Sequence, residues 1–255
     1  MHLLLIHGNG GSRTRFLPFL DLLREGYPEM TPVIPRLSGF DGRDLPKVKN
    51  YWDLFLSEIE AAVMDHPEAE KWVFYGHGIG GSLLMELAAR RYQFPNGLRL
   101  RPQRVILNSV IGASLDQRFF PRLMKPNLVR QLMQSLIAAP WMRSIWEKRL
   151  FQQPDQIPLA LRKQFFQDYA HCAAFPVFFD LITVDWYQGI LPRIQSDPFL
   201  FLWGEKERIV SARYLTLWRR DFPESTFEVI SHWDHFPMLD DPQDFTDNFV
   251  NLLPA

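Results

Sequence analysis

The stretch KWVFYGHGIGG at residues 71–81 decides how this chain is expected to fold. Its first part, Lys71 to Tyr75, is a short and mostly apolar run without alternation, which is typical of a parallel strand buried on both faces. Four glycines interleaved with His77 and Ile79 follow, and apolar residues then recur at helical spacing at residues 83–88. The stretch therefore predicts a strand, a sharp glycine-rich turn and a helix in immediate succession.

The same order of strand and helix extends from this stretch in both directions along the chain. Further short strands are predicted at residues 2–6, 30–34, 105–107, 199–203 and 227–230. Further helices are predicted at residues 16–23, 51–63, 215–222 and 242–253, with Gly26 ending the first of them. Strands that alternate with helices indicate an α/β protein with a mostly parallel sheet flanked by helices.

Between Gly112 and about Ile194 the alternation stops, and the apolar residues have helical spacing. We therefore predict an α/β core of residues 1–112 and 195–255, with residues 113–194 inserted as a helical cap or lid. The insertion holds 10 Lys+Arg and 6 Asp+Glu, which leaves 18 basic and 23 acidic residues in the core. Two solvated surfaces of slightly different sign explain this difference without a functional role.

Composition excludes several classes of protein. The chain has 255 residues, of which 47% are hydrophobic, and a formal net charge of −1, which argues against a disordered chain and against a nucleic-acid partner. The lone Cys172 excludes an internal disulfide and a cysteine-based zinc cluster, and the start lacks a basic region before its apolar run, so we expect a cytoplasmic setting. No apolar run approaches the roughly 18 residues of a membrane span. We predict neither a metal ion nor a cofactor.

A ligand is expected at the loops along the carboxyl edge of the sheet, because open parallel sheets bind ligands there. These loops are HGNGG at residues 7–11, GHGIGG at 76–81, WGEKE at 203–207 and HWDHFP at 232–237. GHGIGG matches part of a dinucleotide fingerprint, but its last glycine has the wrong spacing and no acidic residue ends the next strand. A phosphate-binding P-loop is excluded, because no Gly-Lys-Ser/Thr follows any strand.

These four loops resemble those of an α/β-hydrolase of the capped esterase, lipase or C–C hydrolase type. The similarity runs from residue 2 to about residue 253, apart from a divergent cap. In that family the first loop contributes to the oxyanion hole, so the resemblance assigns oxyanion or ligand binding to Asn9 and Gly10. It assigns the second oxyanion donor to the backbone amide of Ile79.

The catalytic triad that the resemblance implies is incomplete. Glu207 stands at the position of the acid and His235 at that of the base, in the family's order of nucleophile, acid and base. Aligning residues 76–81 with the family's Gly-His-Ser-x-Gly-Gly puts Gly78 where the nucleophilic serine stands, and glycine has no side chain that could attack a carbonyl. Ser82 lies about 6 Å further along the helix axis, so we do not expect it to substitute.

Other polar residues near the strand ends have ordinary structural interpretations. For Glu207 the alternative is a surface ion pair with Lys206 or Arg208. Four residues are expected to be structural, as turn histidines, a loop cap and a packed thiol: His7, His77, Ser109 and Cys172.

Three functions remain open for such a chain. The first is a non-catalytic or vestigial hydrolase that binds an apolar or ester-like small molecule under the cap, with a protein partner on its surface as a further option. The second is a lyase or oxygenase in which His235 and Glu207 act as a base without a nucleophile. The third is a carboxylic ester hydrolase whose nucleophile has been altered at Gly78. We expect the first, because the chain departs twice from the usual family pattern: Gly78 stands in place of the serine, and Glu207 in place of the more frequent aspartate.

Overall fold

A computed structural model describes residues 1–254 and contains a six-stranded sheet. The strands are β1 (His2–Ile6), β2 (Thr31–Val33), β3 (Trp72–His77), β4 (Arg104–Asn108), β5 (Leu200–Gly204) and β6 (Thr226–Ile230). Their spatial order is β2-β1-β3-β4-β5-β6, and every neighbouring pair is parallel. The chain moves outward from β1 to β2 on one side and from β3 to β6 on the other, which leaves a crevice beyond the carboxyl ends of β1 and β3.

Helices connect the strands and cover the sheet. In the described part of the chain they are α1 (Leu17–Gly26), α2 (Tyr51–Met64), α3 (Ile79–Ala89), α4 (Phe119–Leu123), α5 (Asn127–Ala138), α6 (Arg143–Leu150), α7 (Leu159–Ala170), α8 (Phe178–Leu181), α9 (Val184–Ile194), α10 (Leu215–Asp221), α11 (Pro237–Asp240) and α12 (Pro242–Asn251). No helix within residues 1–254 combines the length and the apolar character needed to cross a membrane.

The centre of the fold is the pair β3 and α3, in which every residue is buried. Glycine permits the close approach of this helix to the sheet. A methyl group on Gly80 would lie 2.8 Å from the carbonyl carbon of Ile6 in β1, and one on Gly76 would overlap the backbone of Gly80 and Gly81. Gly76 and Gly80 are therefore required by packing, whatever the site does.

Between Asn108 and Leu200 the chain forms helices α4 to α9 and no strand. We call residues 113–194 the inserted segment. It is joined to the core through the buried carboxylate of Asp168, whose Oδ2 accepts hydrogen bonds of 2.7 Å from the hydroxyls of both Ser12 and Thr14. Because these hydroxyls lie in the loop after β1, the insertion is tied directly to the carboxyl edge of the sheet.

The α/β class predicted from the sequence is confirmed. Each strand begins and ends within two residues of its predicted bounds. The largest difference is in β3, which continues to His77, because its backbone pairs in register with Asn108 of β4. The glycines after Tyr75 had marked the end of this strand in the sequence, but pairing with β4 extends it through the first of them.

Candidate active site

Glu207 and His235 meet at the carboxyl edge of the sheet. Glu207 follows β5, and His235 lies in the loop between β6 and α11. The Nδ1 atom of His235 donates a hydrogen bond of 2.7 Å to Oε2 of Glu207, and both side chains are buried. Because Nδ1 carries the proton, Nε2 of the neutral imidazole is a hydrogen-bond acceptor. A carboxylate that orients a histidine in this way prepares it to accept a proton.

The carboxylate of Glu207 is saturated with hydrogen bonds. Its Oε2 also accepts from the hydroxyl of Ser109 at 2.7 Å, and its Oε1 accepts from the amides of Ile209 and Val210 at 2.6 and 2.9 Å. Burial alone would raise the pKa of Glu207, but the adjacent His235 and these hydrogen bonds lower the pKa to about 2. Glu207 is therefore ionised at neutral pH, and because it is buried and paired with His235 it does not form the alternative surface ion pair.

Ser109 is a site residue whose role the sequence analysis missed. It follows β4, and β4 pairs with β5 through Asn108 and Leu202, so the residue after β4 lies beside the loop that carries Glu207. Its backbone has a φ of 46°, an unusual value for a residue other than glycine, and its hydroxyl donates to Glu207. Its position directly after a strand at the carboxyl edge was the signal that could have identified it.

Two buried histidines are neutral supports of the site, as expected from the sequence. The Nε2 atom of His77 donates to the carbonyl oxygen of His235 at 2.9 Å, and burial lowers the pKa of His77 to about 3. The Nδ1 atom of His7 donates to the carbonyl oxygen of Gly8 at 3.0 Å, and burial lowers its pKa to about 4. Asp234 adds a hydrogen bond of 2.8 Å from the amide of His235 to its carboxylate. The backbone of the His235 loop is thus held from two sides.

Gly78 forms the turn between β3 and α3. Its φ of 53° and ψ of −115° favour glycine, and its amide donates to the carbonyl of Asn108 at 2.9 Å. A Cβ atom built on Gly78 would contact only the Cα of Gly8, at 3.7 Å, which is an ordinary van der Waals distance. The turn is strained in the manner of a nucleophile elbow, and it has room for a small side chain.

The predicted oxyanion residues do not all reach the same space. Ile79 is the first residue of α3, so its amide has no acceptor within the helix. Ile79 and Asn9 line the cavity described below, together with Gly78 and His235. Gly10 is not among the lining residues, and its amide donates to Oδ1 of Asn9 at 3.0 Å. The geometry therefore brings Asn9 and Ile79 to the site and uses Gly10 in the turn.

A cavity of about 980 Å³ lies between the carboxyl edge of the sheet and the inserted segment. Its apolar wall comes largely from the inserted segment and includes Met133, Ile137, Trp146, Phe175 and Phe178. The part of the wall nearest the sheet contains His235, Gly78 and Ile79. The cavity is large enough for a small ligand of mixed apolar and polar character.

The wall of this cavity offers poor nucleophiles. Among the described residues, its hydroxyl groups belong to Tyr169 and Thr183. Burial raises the pKa of Tyr169, and Oγ1 of Thr183 accepts a hydrogen bond from a helix amide. Ser82 is buried away from the wall, where its hydroxyl donates to the carbonyl of Ile111. Cys172 is buried, and burial raises its pKa to about 12.

The fold and this site can be compared with known proteins. A family model described as the alpha/beta hydrolase family matches residues 3–248. The chain belongs to the alpha/beta hydrolase family. The matched range includes the sheet, the turn at Gly78, and both Glu207 and His235. No curated protein matches this alpha/beta hydrolase.

Solved structures share the alpha/beta hydrolase fold over nearly the whole chain. A thermophilic esterase from Thermogutta terrifontis is 20% identical, with 98% of this chain and 88% of that chain covered and a TM-score of 0.67. An esterase from Exiguobacterium antarcticum is 17% identical, with coverage of 98% and 91% and a TM-score of 0.69. A bromoperoxidase from Bacillus anthracis is 15% identical, with coverage of 98% and 90% and a TM-score of 0.70. At these identities the likeness shows the fold alone.

One group of metal-type ligands occurs in the described part of this alpha/beta hydrolase, far from the cavity. His2, His66 and Glu68 place their ligand atoms within 4.8 Å of one another. His2 begins β1, so the group lies at the amino edge of the sheet, opposite the edge that carries His235. It has no connection with the chemistry of the cavity.

Proposed function

We propose that this alpha/beta hydrolase binds an apolar or ester-like small molecule in its cavity and does not form an acyl-enzyme with it. The residues 113–194 act in this proposal as a cap over the ligand. The observation that carries the proposal is Gly78, which occupies the strained turn before α3 and has no nucleophilic atom. Loss of the triad nucleophile lowers turnover by about 10⁶-fold in a serine hydrolase, even when the histidine and the oxyanion donors remain.

The hydroxyl and thiol groups near Gly78 support the view that no other residue replaces the missing nucleophile. The hydroxyl of Ser82 is used by a backbone carbonyl, and Cys172 is a buried thiol with a raised pKa. The amide of Ile79, which has no acceptor within α3, is suited to bind a carbonyl oxygen of a ligand, and Asn9 lines the same cavity. The site is therefore suited to recognition of a carbonyl compound but not to its acylation chemistry.

The experiment that tests this proposal is Gly78→Ser, with Gly78→Ala as the matched control. Both variants carry the same backbone strain, of about 1–3 kcal/mol, but only serine adds a nucleophile. We expect the wild type and Gly78→Ala to be inactive on p-nitrophenyl butyrate, and Gly78→Ser to gain about 100-fold or more. The double variant Gly78→Ser/His235→Ala should lose that gain.

Turnover by the wild type that disappears in His235→Ala would overturn the proposal and favour the altered ester hydrolase. A folded Gly78→Ser variant without activity would contradict the assignment of Gly78 to the nucleophile position.

Ligand binding is tested by thermal shift with decanamide, an uncharged amphiphile. A ligand that binds only the folded state raises stability with its concentration over Kd. We expect decanamide to raise the Tm of the wild type but not that of Val184→Trp, because Val184 lies on the cavity wall. Val229→Trp is the control, since Val229 is a partly exposed residue of β6 away from the cavity. An equal response of both variants would place the ligand elsewhere.

A second candidate function is favoured by the intact pair of Glu207 and His235. The Nε2 atom of His235 is an acceptor at the cavity wall, so it can take a proton from a bound molecule or water without a nucleophile. The probe is 5-nitrobenzisoxazole, whose ring opens after removal of one proton. This candidate predicts a rate about tenfold above that of His235→Ala, and a shifted pH profile in Glu207→Gln. Equal rates in the wild type and His235→Ala would exclude it for this probe.

A further inference from the structure

We propose that Arg118 and Arg149 form an anion-binding subsite on the cavity wall, which takes a carboxylate or phosphate group of the ligand. This inference rests on the proposed function, because it names the class of molecule that the cavity binds. We call these two residues the arginine pair. They belong to different parts of the inserted segment, since Arg118 precedes α4 and Arg149 lies in the last turn of α6.

The arginine pair converges on one loop of the core. Arg118 donates to the carbonyl of Ile209, and Nη2 of Arg149 donates to the carbonyl of Arg208 at 3.0 Å. These carbonyls belong to adjacent residues of the loop that also carries Glu207. Both arginines line the cavity. Two positive charges from the inserted segment are thereby brought to neighbouring points, beside the carboxylate that orients His235.

Among the described arginines of the cavity wall, only Arg118, Arg149 and the exposed Arg122 have no carboxylate partner. Arg122 differs from the arginine pair because it donates to the carbonyl of Asp116 within the inserted segment and not to the core. Three lining arginines have an aspartate within 4.0 Å: Arg15 with Asp168, Arg130 with Asp180, and Arg208 with Asp234. Across residues 1–254, neither Arg118 nor Arg149 has a carboxylate within that distance.

Arg118 is the more unusual member of the arginine pair, because only 8% of it is exposed. A guanidinium group has five N–H donors, and Arg118 uses one of its nitrogens on a single carbonyl. Burial lowers the pKa of Arg118, and the charge of Glu207 opposes this effect. That charge is already shared with His235 and with three other donors. A buried cation without its own counter-charge is costly, and an anionic ligand removes the cost.

Basic side chains outnumber acidic ones on the wall of the cavity. Within the described chain, its lining contains seven basic and three acidic side chains: Arg15, Arg118, Arg122, Lys125, Arg130, Arg149 and Arg208 against Asp116, Asp180 and Asp185. Such an excess attracts anions into a cleft and repels cations. It also gives a role to the basic excess of the inserted segment, which the sequence alone explains as an ordinary solvated surface.

The ligand class follows from the arginine pair and from the apolar part of the wall. The planar fork of a guanidinium matches the oxygens of a carboxylate or a phosphate, so the arginine pair suits either group. The apolar wall at Met133, Ile137 and Phe178 suits a hydrocarbon body. We therefore expect an amphiphilic acid, with its anionic group beside the arginine pair and its apolar part under the inserted segment.

The test compares three ten-carbon probes by calorimetry at pH 7.5 and low salt: decanoate, decyl phosphate and decanamide. We expect one or both anions to bind the wild type about tenfold more tightly than decanamide. Whichever anion binds more tightly identifies the oxyanion that the subsite prefers. Arg118→Gln should weaken the anions about tenfold and change decanamide less than twofold. Arg149→Gln should act in the same direction, and its exposed position makes it the safer variant if Arg118→Gln does not fold.

The matched control is Arg122→Gln, which removes an exposed cation of the same wall. It should weaken the anions less than threefold, since it only reduces the general field. Equal binding of decanamide and both anions overturns the subsite and leaves the proposed function standing. An equal loss in Arg122→Gln and Arg149→Gln also overturns it. If none of the three probes binds, the proposed function fails, and the subsite fails with it.

Discussion

The core and the inserted segment of this protein are built on different principles. In the core, β3 and α3 are buried throughout, and every donor to Glu207 belongs to a core residue. The inserted segment leaves large apolar side chains in solvent. Of the twelve large hydrophobic residues that are exposed within residues 1–254, eight lie between Phe119 and Leu159. The core is therefore held by its own packing, whereas the inserted segment has fewer buried apolar side chains and is joined to the core by contacts such as those of Asp168 and Asp240.

This difference shows where each property of the site comes from. The core supplies Gly78, Glu207 and His235 and holds them at the carboxyl edge of the sheet. The inserted segment supplies most of the apolar wall and five of the seven basic side chains of the cavity. Chemistry and ligand choice can therefore be changed separately, and the following predictions test whether the two regions are as different as the structure indicates.

The largest difference is expected for the removal of one aromatic side chain from each region. Phe74 is a fully buried residue of β3, so Phe74→Ala should lower the free energy of unfolding by about 3–5 kcal/mol. Trp141 of the inserted segment is 74% exposed, and Trp141→Ala should change the free energy of unfolding by less than about 0.5 kcal/mol. Urea unfolding of both variants measures the difference. A similar loss in the two would mean that Trp141 packs against a part of the structure in solution.

The second comparison replaces one glycine in each region by alanine. Gly80→Ala should cost about 3 kcal/mol or more, because its methyl group would meet the backbone of Ile6. Gly189 lies inside α9 with no atom within 4 Å of its Cβ position, so Gly189→Ala should stabilise by about 0.5–1 kcal/mol. The two substitutions therefore have opposite signs. Thermal unfolding of both variants at the same pH measures these changes in stability. A higher Tm for Gly80→Ala would contradict the packing described for α3.

The third comparison concerns Glu207, whose partners all lie in the core. Its pKa of about 2 is below the ordinary value of 4.5, so its contribution is complete above pH 4.5 and is lost as the pH falls towards 2. The stability difference between the wild type and Glu207→Gln should shrink by about 2 kcal/mol from pH 6 to pH 3. The exposed Glu205→Gln is the control and should show no such change. A constant difference would mean that Glu207 titrates normally.

The smallest effect is expected for Asp240, which lies at the contact between the two regions. Its Oδ1 accepts hydrogen bonds from the amides of Gln152 and Gln153 in the inserted segment. Burial raises the pKa of Asp240 to about 6 in spite of these amides. Its loss of stability is therefore absent below about pH 4, grows between about pH 4 and pH 6, and is complete above pH 6.

Asp240→Asn should therefore be about 1–2 kcal/mol more stable than the wild type at pH 7.5 and equal to it at pH 4. Denaturant unfolding at the two pH values measures this, with the exposed Asp247→Asn as the control. A variant that is less stable at pH 7.5 would show that the inserted segment needs the charge of Asp240.

Much of the site was predictable because it depends on the order of residues after strands. The ends of parallel strands meet at one edge, so Gly78, Glu207 and His235 were expected to lie together. The role of Ser109 was not predictable from its own sequence, since a serine after a strand usually caps a loop. Its hydroxyl reaches Glu207 only because β4 and β5 are neighbours, and no local pattern specifies which strands pair.

The partners of Arg118 and Arg149 were also not predictable from the sequence. In the sequence, Arg118 and Arg149 are two of the ten basic residues of an insertion, without a motif. Only the packing of the inserted segment on the loop after β5 separates them from Arg130, which finds Asp180. Which side chains pair between distant elements depends on how those elements pack against each other. Local sequence patterns do not specify that packing.

The amino-acid sequence by itself determined the α/β class, the strand bounds to within two residues, and the identity of the groups at the carboxyl edge. It could do so because burial on both faces and helical spacing are local properties of the chain. The tertiary structure decided which donors surround Glu207, that Gly10 is used in a turn, and that Arg118 and Arg149 meet the loop after β5 without a carboxylate partner. Those facts depend on distances between residues far apart in the chain, and only the folded packing sets such distances.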